Sequence, residues 1–268
     1  MNLASLPMYN PAECAGASAA LWRGLAAHMR RAGIEEVPDE LVERPELPDH
    51  WLSPDLLFSQ TCGYPLTHAL SGRVTLLATP CYDAPGCDGP NYCSILVVPE
   101  DAPTRTLAEL SGKRAACNAT DSQSGMNALR AILAPLARDG RFLGEVIETG
   151  GHAASLDLVA SGGADVAAID AVSLALFRLH RRPSVARVRE LCRSQTAPSL
   201  PFITAGGSSP GRILRLRDAL RGAMADPDLA AARQDLLLRD VMLLPDSAYE
   251  PILAMEGSAR SQGYPHLA

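Results

Sequence analysis

The run Asp121-Ser122-Gln123-Ser124-Gly125-Met126-Asn127 gathers hydroxyls, amides and a glycine at one point of the chain. It follows a short apolar stretch, Arg114 to Cys117, which reads as a strand. It precedes Leu129, Ile132, Leu133 and Leu136, whose spacing reads as a helix. The first N–H groups of a helix have no intrahelical partner, and serine hydroxyls at that end add further donors. Together with the positive end of the helix dipole, such a turn is a seat for a tetrahedral oxyanion. The same residues also make an ordinary helix cap with no ligand, and the local pattern leaves both readings open.

Strand and helix patterns alternate along most of the chain, which predicts an α/β architecture with mainly parallel sheets. Leu3 to Met8 reads as the first strand. Leu21, Trp22, Leu25, Ala26 and Met29 form the apolar stripe of a helix. Leu56 to Phe58 and Val74 to Ala78 read as short buried strands. Two stretches read as crossings between lobes: Tyr82 through a Gly/Pro loop to Val98, and Ala197 to Pro201 leading into Phe202–Ala205. Between them the pattern gives strand 114–117, helix 124–137, strand 145–148, helix 152–161, strand 166–169, helix 171–181 and strand 187–192. The expected division is residues 1–92 with 200–268 as one lobe and 93–199 as an inserted second lobe, hinged at the crossings. Beyond the crossing, helices are expected from Ile213, over 229–238, and near Tyr249 to Arg260.

In α/β lobes of this kind, ligands sit beyond the carboxyl ends of the strands. That rule selects Pro7-Met8-Tyr9, then Ser59-Gln60-Thr61-Cys62-Gly63-Tyr64, and Tyr82. From the inserted lobe it selects Thr120 to Gly125, Gly150-Gly151-His152, and Asp170. The set is rich in hydroxyls, amides and tyrosines and poor in charge, which suits a small polar ligand held by hydrogen bonds.

Composition narrows the function classes. The chain has 268 residues, 47% of them hydrophobic and 20% charged, as expected for a globular protein large enough for two lobes. A formal charge of −6 argues against nucleic-acid binding, since no broad cationic surface is expected. Among 24 basic residues Lys113 is the single lysine, and it lies in a turn ahead of a strand. A Schiff-base enzyme or a Walker-type phosphate loop is therefore not expected. No apolar run reaches the roughly 18 residues of a membrane span. Residues 2–6 run straight into the first strand without a basic region and apolar core, so the chain as written is expected in the cytoplasm, or in the periplasm if an export segment precedes it. The seven cysteines form no CxxC pair, so zinc is not expected. Cys87 and Cys93 flank a tight loop, and both a disulfide and free thiols are compatible with that spacing.

Four segments in order carry a resemblance: Ala4-Ser5-Leu6-Pro7-Met8-Tyr9, Ser59-Gln60-Thr61-Cys62-Gly63, Ser122-Gln123-Ser124-Gly125, and Gly151-His152 followed by Ala164 to Asp170. They resemble the phosphate/phosphite/phosphonate-binding branch of type II periplasmic solute-binding proteins, the receptors of ABC importers. The resemblance covers about Leu3 to Ala205, and only the general character of the C-terminal helices matches. It implies a Venus-flytrap fold with two crossover strands, a ligand closed between the lobes, and no catalysis. It implies that Ser122, Ser124 and the Gly125 backbone, with Gln123 between them, hold the phosphoryl or phosphonyl oxygens. His152 completes the cage, Asp170 matches an acidic residue after the following strand, and Tyr9 and Tyr64 match aromatic residues of the first lobe. The Cys62-Gly63 turn and the cysteine-containing loop depart from the pattern.

Each residue also has a plainer reading. His152 is alternatively a solvent-facing residue at a helix start, Asp170 an N-cap, and Tyr9 a hinge-packing ring. Gln60 and Thr61 are expected to give polar contacts, and Tyr82 and Tyr92 to be rim or hinge residues. A Ser122/His152/Asp170 triad can be imagined, but Ser122 does not stand in a Gly-x-Ser-x-Gly elbow. The expectation is a monomeric oxyanion-binding protein without catalytic residues, metal or cofactor, with an ABC permease as a candidate partner. The alternative is a leaderless cytosolic enzyme or ligand sensor on the same fold, such as those of menaquinone- or thiamine-precursor synthesis.

Overall fold

The computed structural model describes residues 2–180 and 182–268. The chain folds as two compact units. The first comprises Met1–Asp83, Asp88–Pro90 and Pro198–Ala248, and the second Ala84–Cys87, Asn91–Ala197 and Tyr249–Ala268.

In the first unit five strands lie in the order Leu3–Ala4, Leu56–Gln60, Phe202–Ala205, Val74–Tyr82 and Leu238–Met242. Leu3–Ala4 pairs parallel with Leu56–Gln60, and the other pairings are antiparallel. The strand Leu56–Gln60 is buried at every position. It therefore reads as a continuous apolar run rather than an alternating one. The helix Ala15–Arg31 buries the expected stripe of Leu21, Trp22, Leu25, Ala26 and Met29. The helix Pro210–Ala225 starts at Ser209, whose hydroxyl accepts from the Arg212 N–H, with Pro210 in the first turn. The apolar segment expected as helix over 229–238 splits instead. It gives a short helix, Ala230–Asp235, then the edge strand Leu238–Met242, with Leu237 at positive φ between them.

The second unit has its own sheet, in the order Val188–Arg193, Ser94–Pro99, Val166–Asp170, Arg114–Cys117 and Glu145–Glu148. Arg114–Cys117 runs parallel to both its neighbours, while Ser94–Pro99 is antiparallel to both of its own. Val188–Arg193, Val166–Asp170, Arg114–Cys117 and Glu145–Glu148 thus run one way, and Ser94–Pro99, which enters from the first crossing, runs against them. The helix expected at 171–181 is Ala171–His180, and position 181 lies outside the described residues.

The last helix, Glu250–Ser261, packs within this second unit. The sequence reading grouped residues 200–268 with the first lobe. Tyr264 is fully buried beside Leu129 and Leu133, and the Ile252 carbonyl accepts from Asn127 Nδ2 at 3.0 Å. Both ties are to residues of the inserted segment, and neither has a signature in the local sequence. No helix among the described residues is long and apolar enough to cross a membrane. None of the seven cysteines is joined in a disulfide among the described residues.

A buried polar cluster fixes the start of the first sheet. Ser5 Oγ lies 2.8 Å from His50 Nε2 and 2.7 Å from Ser59 Oγ, and Trp51 Nε1 donates to Ser59 Oγ at 3.2 Å. Burial holds the pKa of His50 below its ordinary value, so the folded state favours the neutral ring. The sign follows from linkage. This contribution to stability is complete above the unfolded histidine pKa of about 6.5 and is lost as pH falls through it toward the folded value. Thermal unfolding as a function of pH should show a steeper acid-side loss in the wild type than in His50→Gln. Superimposable slopes would remove His50 from the acid response.

Candidate functional site

The strand Arg114–Cys117 ends beneath the turn that the sequence singles out. Ser122 is extended, at φ −83° and ψ 132°, and its Oγ accepts the Gly125 N–H at 3.0 Å. The helix expected over 124–137 opens as a π-helix, Gln123–Asn127, continues as α over Ala128–Leu133 and closes as a 3-10 turn, Ala134–Leu136. The wide first turn is marked by the Asn127 N–H, which donates to the Ser122 carbonyl at 3.0 Å, a five-residue step. Such turns cluster at functional sites because they displace side chains from the regular helical register.

A polar network holds this turn from behind. Asn127 is wholly buried. Its Nδ2 donates to Gln123 Oε1 at 2.6 Å and to the Ile252 carbonyl, and its Oδ1 accepts from Arg130 Nη2 at 2.6 Å. Gln123 Nε2 reaches Met255 Sδ at 3.3 Å. The side chain of Gln123 therefore faces the C-terminal helix. Arg130 is bound to Asn127, to the Pro265 carbonyl and, at 3.5 Å, to Glu256. That guanidinium is committed to structure.

Ser124 and His152 come together as expected. Ser124 Oγ lies 2.8 Å from His152 Nε2, and Ser122 Oγ lies 3.5 Å from Ser124 Oγ. His152 begins the helix His152–Ala160, after Gly150 at φ 80° and an extended Gly151. Thr149 Oγ1 meets Ser155 Oγ at 2.6 Å across that helix start. Burial lowers the pKa of His152 to about 4, so the ring is neutral at physiological pH. Its Nδ1 is shut off from solvent and has no hydrogen-bond partner.

Asp170 ends the strand Val166–Asp170 and takes the capping role: its Oδ1 accepts from the N–H groups of Val172 and Ser173 at 2.8 and 3.1 Å. Within the second unit the structure thus joins Ser122, Ser124, Gly125 and His152 directly, and accounts for Gln123 and Asp170 by ties inside the protein.

The residues expected from the first unit have local partners too. The Tyr9 ring packs edge-on against Tyr82, centroids 4.9 Å apart at 80°. Gln60 Nε2 donates to Tyr82 Oη at 2.9 Å and to the Leu200 carbonyl at 3.0 Å. Tyr9, Gln60 and Tyr82 line a small cavity of about 20 Å³ with Leu6, Leu21 and Phe202. Thr61 is fully buried, and its N–H donates to the Pro201 carbonyl at 3.0 Å. Tyr64, in the short helix Gly63–Thr67, stacks on His68 at 3.9 Å.

One residue at the turn escaped the sequence reading. Asn118, directly after the strand, lays its side chain on Gly125: a Cβ there would stand 1.8 Å from Asn118 Oδ1. That oxygen is buried and has no hydrogen-bond partner. Counting the strand's end from Cys117 would have included it.

A protein-family model described as "ABC transporter, phosphonate, periplasmic substrate-binding protein" matches residues 54–249, most of the chain. No curated protein matches. Among solved structures, the binding-protein component of an ABC phosphonate transporter from Pseudomonas aeruginosa has a TM-score of 0.77 at 14% identity, over 97% of this chain and 87% of that one. PhnD1 of Prochlorococcus marinus in complex with methylphosphonate gives 0.76 at 11% identity, over 96% and 98%. XAC2383 of Xanthomonas citri bound to ATP gives 0.73 at 16% identity, over 97% of each chain. At these identities the likeness shows the fold, the two-lobe type II periplasmic-binding-protein fold, and not the ligand.

The contact between Asn118 and Gly125 gives a test of how the turn is held. Gly125→Ala should destabilise the protein by about 1–3 kcal/mol in urea unfolding, the range for forcing atoms into a packed site. Adding Asn118→Ala to that variant should recover much of the loss. An unaltered midpoint in the single variant would show that Asn118 swings aside freely.

Proposed function

This chain belongs to the family of periplasmic substrate-binding proteins of phosphonate ABC transporters, and on that premise we propose that it captures a small tetrahedral oxyanion: phosphate, phosphite or a phosphonate. The reading rests on one arrangement, the capped opening turn of the segment at Gln123 with the Ser124 hydroxyl fixed 2.8 Å from His152. Two hydroxyls stand there 3.5 Å apart at the positive end of a helical segment, a setting that suits a tetrahedral anion.

The same arrangement favours recognition by shape over attraction by charge. Arg130, the buried guanidinium of this segment, is committed to Asn127, Pro265 and Glu256. The anion is therefore met by neutral donors, whose strength depends on distance and direction. We assign Ser122, Ser124, the Gly125 main chain and His152 to the phosphoryl or phosphonyl oxygens, with Gln123 contributing its main chain and Asp170 capping the neighbouring helix. Tyr9 and Tyr64, with the chain around Gln60 and Thr61, are assigned to the remainder of the ligand. Capture would shift an equilibrium between open and closed arrangements of the two units, and the closed form would be the one presented to an ABC permease.

Calorimetry with phosphate, phosphite, methylphosphonate and sulfate tests the assignment. At least one of the three phosphorus oxyanions should bind. Ser124→Ala should weaken that binding by about 1–3 kcal/mol, the range for losing a hydrogen bond to a charged group. Equal affinity in the variant would place the ligand elsewhere, and silence from all the oxyanions would overturn the reading.

A further inference from the structure

The first unit carries a cavity at one edge of its sheet, and the lining of that cavity is neutral. The strands Leu3–Ala4, Leu56–Gln60 and Val74–Tyr82 run the same way, the last two because both are antiparallel to Phe202–Ala205. Gln60 and Tyr82 end their strands, and Tyr9 follows the first one. All three line the cavity of about 20 Å³, at the carboxyl edge where α/β lobes take their ligands. Phe202 and Leu238 begin the antiparallel strands, stand in register with Gln60 and Tyr82, and close the same edge.

Gln60 decides what the cavity can hold. Its side chain is buried, with the residue 3% exposed. Nε2 donates to the Leu200 carbonyl at 3.0 Å and to Tyr82 Oη at 2.9 Å. A carbonyl only accepts, so the amide cannot be turned the other way round. Oε1 is thereby fixed as an acceptor, and it has no hydrogen-bond partner among the described residues. Ser18, also in the lining, donates to Asn10 Oδ1 at 2.9 Å, so its oxygen too is left to accept. The other walls are the rings of Tyr9, Tyr82 and Phe202 and four leucines, and no lining residue carries a formal charge.

These properties define an occupant. A buried amide oxygen without a partner is destabilising, and a group that donates to it relieves that penalty. A further acceptor would be repelled. An ammonium could donate, but it would bring a charge into a cavity with no carboxylate to pair with it. A volume of about 20 Å³ admits one water-sized group, for which roughly 10–15 Å³ suffices. We infer that this cavity selects the ligand's organic substituent by taking a hydroxyl, a neutral donor of one heavy atom, onto Gln60 Oε1. The inference rests on the oxyanion reading, in which Tyr9 and the chain around Gln60 meet the remainder of the ligand. It names the substrate class as a hydroxyalkyl phosphonate, ahead of alkyl, aminoalkyl and carboxyl-bearing ones.

The experiment is calorimetry on the wild type with methylphosphonate, hydroxymethylphosphonate, aminomethylphosphonate and phosphonoformate. Hydroxymethylphosphonate should bind about three- to tenfold tighter than methylphosphonate, the ratio expected of one neutral hydrogen bond. Aminomethylphosphonate and phosphonoformate should bind more weakly than methylphosphonate. Gln60→Glu supplies a carboxylate and should raise aminomethylphosphonate above hydroxymethylphosphonate. Leu236→Phe fills the cavity from its apolar side and keeps the amide of Gln60, so it should erase the advantage of the hydroxyl over the methyl. Equal affinity of the wild type for the hydroxymethyl and methyl compounds, or a preference for aminomethylphosphonate, would overturn the inference and leave the oxyanion site standing. An advantage that survives in Leu236→Phe would place the hydroxyl outside the cavity and overturn it equally. Failure of all four compounds, and of phosphate and phosphite, to bind would overturn the oxyanion reading itself.

Discussion

The second unit is organised around the hydrogen bond by which Ser122 Oγ takes the Gly125 N–H. It fixes where the strand ends and the helix begins, and so fixes the direction in which the opening turn presents its remaining donors. The π-turn follows from it, since Ser122 also supplies the carbonyl that Asn127 reaches at 3.0 Å. Asn127 then carries the constraint inward, through Gln123 and Arg130 to the C-terminal helix. A buried network of this kind is worth keeping only if every member is satisfied. The side-chain amide of Asn127 is engaged at both ends, whereas Arg130 Nε is left without a partner. The network secures a geometry rather than maximal stability.

For an acidic protein the proposed capture of an anion poses an electrostatic problem, which the proposed seat would have to solve locally. The formal charge of −6 offers no general attraction. The buried Arg130 of the segment is engaged by Asn127 and the Pro265 carbonyl and lies 3.5 Å from Glu256. What remains is a set of oriented dipoles: hydroxyls, main-chain N–H groups and the helix end. Dipoles are demanding about distance, so such a seat separates ligands by shape where a cationic patch would not. Family membership is established over residues 54–249.

The elements of the second unit were largely legible in the sequence because their signals are local. The strand at 114–117 and the helix start at His152 fall where the apolar pattern and the glycines put them. What was not legible depends on distant partners. The residues expected as helix to 238 end in a strand because Leu238 and its neighbours find an open edge beside Val74–Tyr82, which periodicity cannot report. The C-terminal helix joins the second unit through Asn127 and Tyr264, and a helix's apolar stripe does not name its partner. The motif Ser122-Gln123-Ser124-Gly125 was readable as a unit, but the inward direction of Gln123 was not. It is set by Asn127 four residues on and by Met255 far along the chain. Asn118 was missed for a similar reason. Its role lies in what it touches, a glycine whose lack of a side chain is visible in sequence but whose neighbour is not.

A serine, a histidine and an aspartate on three loops of one unit invite comparison with a hydrolytic triad, and the geometry argues against it. A triad needs a carboxylate on Nδ1 to fix the tautomer and to stabilise the imidazolium formed during attack. Here Nδ1 of His152 has no partner, and Asp170 Oδ1 is engaged by the N–H groups of Val172 and Ser173. The Ser124 hydroxyl sits in the opening turn of a helix and not on a strained strand-to-helix elbow that would expose it as a nucleophile. A neutral imidazole hydrogen-bonded to Ser124 through Nε2, with its Nδ1 unpartnered, does less than a triad histidine. It is tied to one hydroxyl, which in the proposed reading is a binding contact rather than a reactive one.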